Sequence, residues 1–549
     1  MTSSRSLPEV SGDGVETSIR ARQGNDLRTP VRLPGSFASS KRMLARATSA
    51  SPWGVEAIPI QVEVDLHNGL PQMQIVGLPD TAVRESRERV RSAIRNCGFE
   101  LEPRAVVINL APADVRKEGN HLDLAIALAL LSAYDLIPPD CLDRRLFCGE
   151  LGLDGDIRPI RGALAIAELG DNQGANEVLL PFANSAEAAA LEAVPVVGVR
   201  NLAETVEHLV GTSPVSPRQR QGTLEMSGAR GPDLAEVRGQ EAAKRALEVA
   251  AAGGHNMLLI GPPGAGKTML ARRLPPLLPR LTRPEAIAVT KIYSLVAADP
   301  PIGLLSTRPF RSPHPSISTA GMVGGGSFPR PGEATLAHHG VLFLDELPEF
   351  RRDALEALRQ PMEEGELTVV RARARMRFPA RFILLAAMNP CPCGHLGDTR
   401  HECVCPPTQV ERYRSKISGP LLDRIDLHIE VPSISLEELD DDTGETTQSV
   451  ASRIAAARAL QRTRFETGFP TPYNSALSGD ALQHACRLSG AGRSLLETAF
   501  EKLGLSARSV HRLLRVARTI ADLEDSPAVE PQHLAEAIQY RALDRRYQA

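Results

Sequence analysis

Residues 256–274, NMLLIGPPGAGKTMLARRL, place a glycine-rich turn between an apolar run and a helical pattern. The turn follows G-x-x-x-x-G-K-T and ends at Lys267 and Thr268. In a phosphate-binding loop of this pattern, backbone N–H groups turn inward onto phosphates, the lysine reaches the β- and γ-phosphates, and the hydroxyl ligates Mg²⁺. A chance glycine-rich turn is the alternative, which the flanking strand and helix patterns disfavour. The sequence therefore predicts a nucleotide site made of Gly261, Pro262, Pro263, Gly264, Ala265, Gly266, Lys267 and Thr268.

Two further apolar runs end in polar side chains suited to hydrolysis of that nucleotide. GVLFLDELPEF, residues 340–350, brings Asp345 and Glu346 to the end of one run, and RFILLAAMN, residues 381–389, ends at Asn389. We expect Asp345 to share the Mg²⁺ shell with Thr268, Glu346 to polarise the attacking water, and Asn389 to orient it. A plain core strand ending in two acids is the alternative for the first run. The phosphate loop upstream favours an ATPase that uses ATP and Mg²⁺.

Composition limits the class of protein. Of the 549 residues, 42% are hydrophobic, so the chain can form several buried cores. The 63 basic and 66 acidic side chains nearly cancel, so any attraction to nucleic acid or anionic lipid must be local. No apolar run approaches a membrane span, and the N-terminus lacks the apolar stretch of a secretory signal. We expect a cytoplasmic protein without a membrane partner.

The chain divides into parts that differ in periodicity. Residues 1–50 are rich in Ser, Arg, Gly and Pro, which is typical of a disordered tail, and Met43 is an alternative start. IPIQVEVDL and MQIVGL, joined by HNGLP, predict a hairpin, and Asp80 predicts a helix running to Asn96. The predicted fold class is multidomain α/β with a helical end. Its predicted parts are the tail 1–50, an α/β domain 51–210, a linker 211–232, a nucleotide-binding α/β domain 233–432 and a helical domain 445–549.

Four of the eight cysteines lie within residues 391–405, in the pattern C-x-C-x₉-C-x-C. Thiols stay reduced in the cytoplasm, so such a cluster favours metal binding over disulfides. The pattern predicts one structural Zn²⁺ held by Cys391, Cys393, Cys403 and Cys405. His395 and His401 lie inside the loop and can replace a thiolate, and a metal-free loop of reduced thiols is a further alternative.

Arginines alternate with apolar residues in ELTVVRARARMRF, residues 366–378. Strand periodicity places Arg371, Arg373, Arg375 and Arg377 on one face of a predicted hairpin. One interpretation is a charged edge that prevents strand pairing. The other is a surface that follows the phosphates of threaded nucleic acid.

Several long segments resemble one family. VRGQEAAKRALEVAAAGGHNMLLIGPPGAGKTMLA, RQPMEEGELTVVRA, AMNPCPCG, GPLLDRIDLHIEVP and LSARSVHRLLRVARTIADL look like the ComM/YifB family of magnesium-chelatase-like AAA+ ATPases, over residues 53–543. The resemblance implies a first domain with the Lon-protease (ribosomal S5-like, ChlI) fold, an AAA+ core and a C-terminal helical lid. It also implies a homo-hexamer, because AAA+ subunits usually hydrolyse ATP at interfaces within a ring.

The same resemblance assigns roles to two arginines and to the first domain. Arg424 matches the arginine finger that completes a neighbour's site, and an ion pair with Asp423 or Asp426 is the alternative. Arg508 resembles the second sensor of the lid, with Arg512 as the competing choice. The segments KEGNHLDLAIAL and GELGLDGDIRPIRGALAIAE fall on the catalytic segments of the Lon protease. The positions of its serine and lysine are occupied by His121 and Leu164, so we do not expect a protease.

The resemblance implies a ComM-like DNA helicase that promotes branch migration when incoming DNA is recombined during natural transformation. Its partners would be single-stranded or branched DNA and recombination proteins. A protein-remodelling or metal-chelatase ATPase subunit that acts with partner subunits is the alternative.

Overall fold

The computed structural model describes residues 44–219, 231–296, 303–326, 329–371, 374–398, 400–434, 444–466 and 472–541, without the side chains of Arg371 and Ala374. Residues 1–43 of the predicted tail, including Met43, and residues 220–230 of the predicted linker lie outside the described residues. Strand β1 is formed by Leu44–Trp53, so the predicted tail boundary at residue 50 is too late. Small residues such as Ala45 and Ala47 carry little strand signal, and pairing with the next strand decides their conformation.

The first part of the chain combines strands and helices around one large sheet. Its strands are β1, β2 (Glu56–His67), β3 (Gln72–Val76), β4 (Ala105–Ala111), β5 (Arg145–Phe147), β6 (Glu150–Leu151), β7 (Ile157–Arg158), β8 (Glu177–Pro181) and β9 (Val196–Val199). Its helices are α1 (Thr81–Asn96), α2 (Asp123–Ala133), α3 (Ala163–Asn172), α4 (Phe182–Ala189) and α5 (Leu202–Leu209), with a 3₁₀ turn at Pro139–Leu142. The sheet has seven strands in the order β3-β4-β2-β1-β5-β8-β9.

The strand order corrects one sequence prediction. The predicted hairpin of IPIQVEVDL with MQIVGL is wrong, because β4 lies between β2 and β3 and pairs with both. The hairpin instead joins β1 to β2, with Trp53 opposite Glu56 across Gly54, which has φ +65°. Strand periodicity shows which face a residue occupies but not which strand lies beside it. The predicted helix from Asp80 to Asn96 is confirmed, and the Asp80 carboxylate accepts the Val83 N–H.

The second part is built on a five-stranded parallel sheet. Its strands are β10 (Met257–Ile260), β11 (Phe310–Arg311), β12 (Val341–Leu344), β15 (Ile383–Met388) and β16 (Leu427–Glu430), in the order β11-β12-β15-β10-β16, and β13 (Glu366–Arg371) forms a separate hairpin with β14 (Ala374–Pro379). Its helices are α6 (Glu241–Gly253), α7 (Lys267–Ala271), α8 (Leu274–Leu277), α9 (Arg283–Val296), α10 (Thr319–Val323), α11 (Glu333–Leu336), α12 (Arg352–Ala357), α13 (Arg359–Glu364), α14 (Pro407–Arg414) and α15 (Gly419–Leu422), with 3₁₀ turns at Leu234–Glu236 and Leu347–Glu349.

The third part is helical in the residues described after 443. Its helices are α16 (Thr447–Glu466), α17 (Gly479–Ala485), α18 (Gly490–Leu503), α19 (Ala507–Leu523) and α20 (Pro531–Gln539), with a 3₁₀ turn at Asn474–Ala476. Apolar residues of α16 and α19 share one buried core with α6 and the parallel sheet. Buried His255 joins the two parts, with Nε2 2.7 Å from Thr519 Oγ1 and Nδ1 3.2 Å from the Asp426 carboxylate. None of the described helices is long and apolar enough to cross a bilayer.

The first part packs on the second through α3 and α9. Leu164 is fully buried there, in a cluster that contains Ala190 of its own part and Ala286 and Leu304 of the second. The other residue aligned with the Lon catalytic pair, His121, is also buried, and burial lowers its pKa to about 4. Leu164 therefore has a packing role between the parts.

Glu187 lies beside this contact, where its Oε1 accepts the Leu164 N–H at 3.3 Å. Burial raises the Glu187 pKa from 4.5 to about 7. Below pH 4.5 the carboxyl is protonated in both folded and unfolded chains, so its burial is then least costly. As the pH rises from 4.5 to about 7, the unfolded chain loses the proton first, and the folded state loses stability.

We predict that Glu187→Gln, which stays neutral, becomes more stable than the unsubstituted chain as the pH rises. The difference should be small near pH 4.5 and reach about 3 kcal/mol above pH 7, at about 1.4 kcal/mol per pKa unit. Thermal unfolding midpoints across this pH range measure it, with Glu88→Gln on the exposed side of α1 as the control. A pH-independent difference between the two chains would contradict the buried, neutral carboxyl.

Candidate nucleotide site and cysteine-rich loop

Three neighbouring strands deliver the predicted nucleotide-binding residues to one edge of the parallel sheet. Strand β15 lies between β10 and β12, with Ala386 beside Leu344 and Met388 beside Ile260. All three strands are buried along their length, as expected for a sheet covered on both faces. Parallel strands end at the same edge, so the residues that follow β10, β12 and β15 meet there.

The amine of Lys267 lies inside the turn that precedes it. It donates to the carbonyl oxygens of Gly261 at 2.7 Å and Pro262 at 2.9 Å, and to Asn389 Oδ1 at 3.0 Å. Burial lowers the Lys267 pKa, and the carboxylates of Asp345 and Glu346 oppose that shift. The structure thus brings the predicted phosphate-binding lysine and the predicted sensor amide into direct contact.

Thr268 and Asp345 are brought together in the same way. The Thr268 hydroxyl donates to Asp345 Oδ2 at 2.6 Å. Hydroxyl and carboxylate oxygens are ligands that suit Mg²⁺, so this pair fits the predicted metal. Glu346 is exposed beside them, and its backbone is left-handed at φ +54°. A non-glycine residue in that conformation costs about 1 kcal/mol, a strain often found at functional sites.

The phosphate loop needs glycine at two positions because of backbone conformation and at a third because of space. Gly264 and Gly266 adopt φ +78° and +87°, in the region that favours glycine. At Gly261 the limit is space, because a Cβ there would lie 2.1 Å from the Val431 carbonyl oxygen. The loop then opens into α7 at Lys267, so its N–H groups lie at a helix N-terminus.

Arg424 forms a different ion pair from either of those considered. Its guanidinium contacts the Glu363 carboxylate and the Pro420 carbonyl oxygen. The alternative to the finger, an ion pair with Asp423 or Asp426, does not form: the partner of Arg424 is Glu363, and Asp426 lies 3.2 Å from His255. The Arg424 side chain is 8% exposed, and Glu363 is 53% exposed.

The two candidate sensor arginines differ in surroundings. Arg508, near the start of α19, is exposed. Arg512, one turn later, is largely buried, with Nε 3.8 Å from an Asp426 carboxylate oxygen. Arg512 thus has a partner within its own chain, whereas Arg508 is accessible from solvent.

The four cysteines of the 391–405 loop converge. Sγ of Cys391 lies 3.4 Å from that of Cys393 and 3.6 Å from that of Cys403, and Cys393 and Cys403 are 3.7 Å apart. Cys405 Sγ accepts the Cys393 N–H at 3.4 Å, and all four sulfurs lie within 4.8 Å of one another. Thiolates on a tetrahedral Zn²⁺, with bonds of about 2.3 Å, lie about 3.8 Å apart. The sulfur positions therefore fit one zinc ion.

Backbone donors support that fit. The His395 N–H and, to a smaller extent, the Val404 N–H bond to the Cys393 sulfur and lower its pKa, whereas burial raises the pKa of Cys391. Hydrogen bonds of this kind orient thiolate ligands and stabilise their charge. The histidines that were alternatives to a thiolate lie elsewhere, with Nδ1 of His395 and of His401 each 3.3 Å from Asp398.

The cysteine-rich loop packs directly on the phosphate loop. A Cβ on Gly394, which has φ +87°, would lie 2.5 Å from Cδ of Pro263. The loop is anchored at its base, where Arg414 Nε donates to the Pro390 carbonyl oxygen at 3.3 Å. Sequence reasoning missed this contact, because nothing in the pattern around Pro263 indicates what covers it.

The predicted four-arginine face is wrong. Arg371 belongs to β13 and pairs with Ala374 of β14, so the four arginines do not lie along one strand. Arg373 lies outside the described residues, as does the Arg371 side chain. Only Arg375 and Arg377 are described as exposed neighbours on one strand face.

The other face of that hairpin is buried. Met376 and Phe378 are 1% and 0% exposed, and Trp53 and Val55 of the β1–β2 turn pack against the same cluster. A Cβ on Gly54 would lie 3.5 Å from the Arg377 carbonyl oxygen, which shows how closely the turn approaches. The first part of the chain thus supports the hairpin that carries the two exposed arginines.

Three family models match consecutive parts of the chain. "Subunit ChlI of Mg-chelatase" matches residues 62–184, "Magnesium chelatase, subunit ChlI" matches 233–439, and "Magnesium chelatase, subunit ChlI C-terminal" matches 444–541. These ranges correspond to the three parts of the fold.

Similar proteins cover nearly the whole chain. YifB of Salmonella typhimurium is 44% identical over 504 residues, which are 91% of this chain and 98% of that protein. The competence protein ComM of Haemophilus influenzae is 42% identical over 507 residues, again 91% of this chain and 98% of that protein. The magnesium-chelatase 38 kDa subunit of Rhodobacter capsulatus is 28% identical over 320 residues, 54% of this chain and 82% of that protein.

We predict about one tightly bound zinc per chain in protein purified without chelator, because the four sulfurs lie within 4.8 Å of one another. Cys403→Ser with Cys405→Ser should lose that zinc and the order of the 391–405 loop. Elemental analysis measures it, and Cys97→Ala with Cys141→Ala, two cysteines outside the loop, is the control. Full zinc retention in the serine variant would show that these cysteines do not hold the ion.

Proposed function

Because the chain belongs to the magnesium-chelatase-like ComM/YifB family of AAA+ ATPases, we propose that it is an ATP-driven motor that acts on DNA. Its activity would be that of a helicase or branch-migration factor in recombination during natural transformation. The proposal has separate supports for ATP hydrolysis, for assembly and for the DNA substrate.

The contacts Lys267–Asn389 and Thr268–Asp345 carry the proposal of ATP hydrolysis. They join the phosphate loop to the ends of both neighbouring strands, so one nucleotide phosphate can be reached by all of them. Mg²⁺ would be held by Thr268 and Asp345 and would neutralise charge that develops on the phosphates. Lys267, released from the Gly261 and Pro262 carbonyls, would bind the β- and γ-phosphates.

Glu346 is the residue we assign to the attacking water. It is exposed at the sheet edge and follows Asp345 directly, and its N–H donates to Asp345 Oδ1 at 3.0 Å. A carboxylate there can accept a proton from water while Asn389 orients the same water.

Assembly into a homo-hexamer is supported by the family and by Arg424. The glutamate paired with Arg424 is half exposed, so the arginine lies near the surface despite its own burial. An arginine finger acts on the nucleotide of a neighbouring subunit, so in a ring Arg424 would exchange Glu363 for the γ-phosphate. Arg508 is accessible for the sensor role in a lid formed by the C-terminal helices.

DNA as the substrate is supported by one relative's name and by the hairpin. The Haemophilus influenzae relative is a competence protein. Arg375 and Arg377 are exposed on a hairpin whose other face is buried, which is an arrangement suited to phosphate contacts. The alternative is that the same two arginines form a charged edge that prevents strand pairing. The DNA-binding experiment below distinguishes the two roles.

A metal-chelatase-type or protein-remodelling subunit is the second candidate, favoured by the match to the Rhodobacter capsulatus magnesium-chelatase subunit. ATP turnover measured with and without forked or single-stranded DNA separates the two. A DNA motor should hydrolyse ATP faster when DNA is present. A rate of ATP hydrolysis that DNA does not change would favour the second candidate.

We predict that Glu346→Gln binds ATP but hydrolyses it at least ~10²-fold more slowly, because the amide keeps the shape but cannot accept the proton of water. It should also accumulate as an ATP-stabilised ring, since binding without hydrolysis favours the assembled state. Steady-state turnover and size-exclusion chromatography measure the two effects. Glu349→Gln, an exposed acid three positions later, is the control. Near-normal turnover by Glu346→Gln would refute its catalytic role.

We predict that replacing Arg375 and Arg377 with Ala weakens single-stranded DNA binding. The slope of log K against log salt should fall by about 0.7 for each DNA phosphate that the protein no longer neutralises. Fluorescence anisotropy at several salt concentrations measures it, with an unchanged unfolding midpoint as the check on folding. Arg87→Ala with Arg104→Ala, two exposed arginines of the first part, is the control. An unchanged slope would show that the hairpin arginines do not contact DNA phosphates and would favour their role as a charged edge that prevents strand pairing.

A further inference from the structure

The cysteine-rich loop contains a second group of side chains that could hold a metal, separate from the four thiols. Nδ1 of His395 and Nδ1 of His401 each lie 3.3 Å from the same oxygen, Oδ2 of Asp398. These three atoms lie within 4.8 Å of one another. The three residues follow the sequence pattern H-x₂-D-x₂-H within residues 395–401, and the loop brings them into one cluster.

The Asp398 carboxylate is held in place from its other side. Its Oδ1 accepts the Ser433 hydroxyl at 2.9 Å and the Arg400 N–H at 3.1 Å. These bonds fix the carboxylate and leave Oδ2 directed between the two imidazoles, as outer partners do for metal-bound carboxylates. The Asp398 side chain is only 4% exposed, and no lysine or arginine among the described residues forms an ion pair with it. Its charge has no permanent cationic partner there.

The distances are long for direct hydrogen bonds and suitable for a shared ion. A charge-assisted N–H···O⁻ bond is about 2.7–2.9 Å. Nitrogen and oxygen ligands on one tetrahedral Zn²⁺, with bonds of about 2.0–2.2 Å, lie about 3.3–3.6 Å apart. Two histidines that simply donate to one carboxylate oxygen are the alternative, and both would then have to carry a hydrogen on Nδ1.

We propose that His395, Asp398 and His401 form a second metal site, for a divalent first-row transition metal such as Zn²⁺. Two imidazoles and a carboxylate are a ligand set that suits such ions. Three protein ligands leave one position of a tetrahedral site open to water. The His401 side chain is 65% exposed and that of His395 33% exposed, so the ion can enter from solvent and exchange. The site is distinct from the predicted four-thiolate zinc and does not depend on the proposed function.

The first test uses the unsubstituted, tag-free protein with its tightly bound zinc in place, titrated with Co²⁺. We expect one additional equivalent to bind, with weak visible absorption and without the intense sulfur-to-cobalt charge-transfer absorption. An additional equivalent with strong charge-transfer absorption would place the cobalt on thiolates and overturn the proposal. Binding of no additional equivalent would also overturn it and leave the cluster as hydrogen bonds.

The second test compares His401→Ala with His484→Ala, an exposed histidine of α17, by calorimetric titration with Zn²⁺. His401→Ala should bind the additional equivalent at least ~10-fold more weakly, since the loss of even an outer partner of a metal ligand has such an effect. His484→Ala should bind it like the unsubstituted protein. Equal binding by both variants would overturn the proposal. Loss of the tightly bound zinc in His401→Ala would instead assign this histidine to the thiolate site and would equally overturn it.

Discussion

The parallel pairing of β10, β15 and β12 is the constraint on which the candidate site depends. The backbone hydrogen bonds of this sheet fix where each strand ends, and full burial prevents the strands from sliding past one another. The lysine, the acid pair and the amide therefore meet, although they come from segments far apart in the sequence. Their mutual contacts, Lys267 with Asn389 at 3.0 Å and Thr268 with Asp345 at 2.6 Å, form at this shared sheet edge.

The cysteine-rich loop is best understood as an extension of the same sheet edge. It begins right after Asn389, the predicted sensor, and Gly394 within it packs against Pro263 of the phosphate loop. Its leucine and its valine, Leu396 and Val404, are both exposed. Such a segment cannot be ordered by a hydrophobic core of its own, whereas metal ligation closes a loop without one. Because Gly394 packs against Pro263, the loop lies directly on the turn predicted to bind phosphates.

The first part of the chain packs against the second part at two places. Its α3 packs on α9 through Leu164, and its β1–β2 turn packs beneath the arginine hairpin through Trp53 and Val55. The second contact covers the face that contains Met376 and leaves Arg375 and Arg377 toward solvent. The first part thus contacts the second at two places, and its packing beneath the hairpin leaves the two arginines on the exposed face.

The sequence by itself determined the local features. Gly261, Lys267 and Thr268 match the phosphate-loop motif, in which each position requires its own residue type. Asp80 caps its helix because its carboxylate reaches the N–H three residues away. Spacing also predicted that Cys391 to Cys405 converge. Only the tertiary structure decided which elements become neighbours: β4 entering between β2 and β3, Glu363 rather than Asp423 or Asp426 pairing with Arg424, and the placement of Arg371 and Arg375 on different strands. Periodicity assigns a residue to a face, but the partner on that face is chosen by packing between segments distant in the chain.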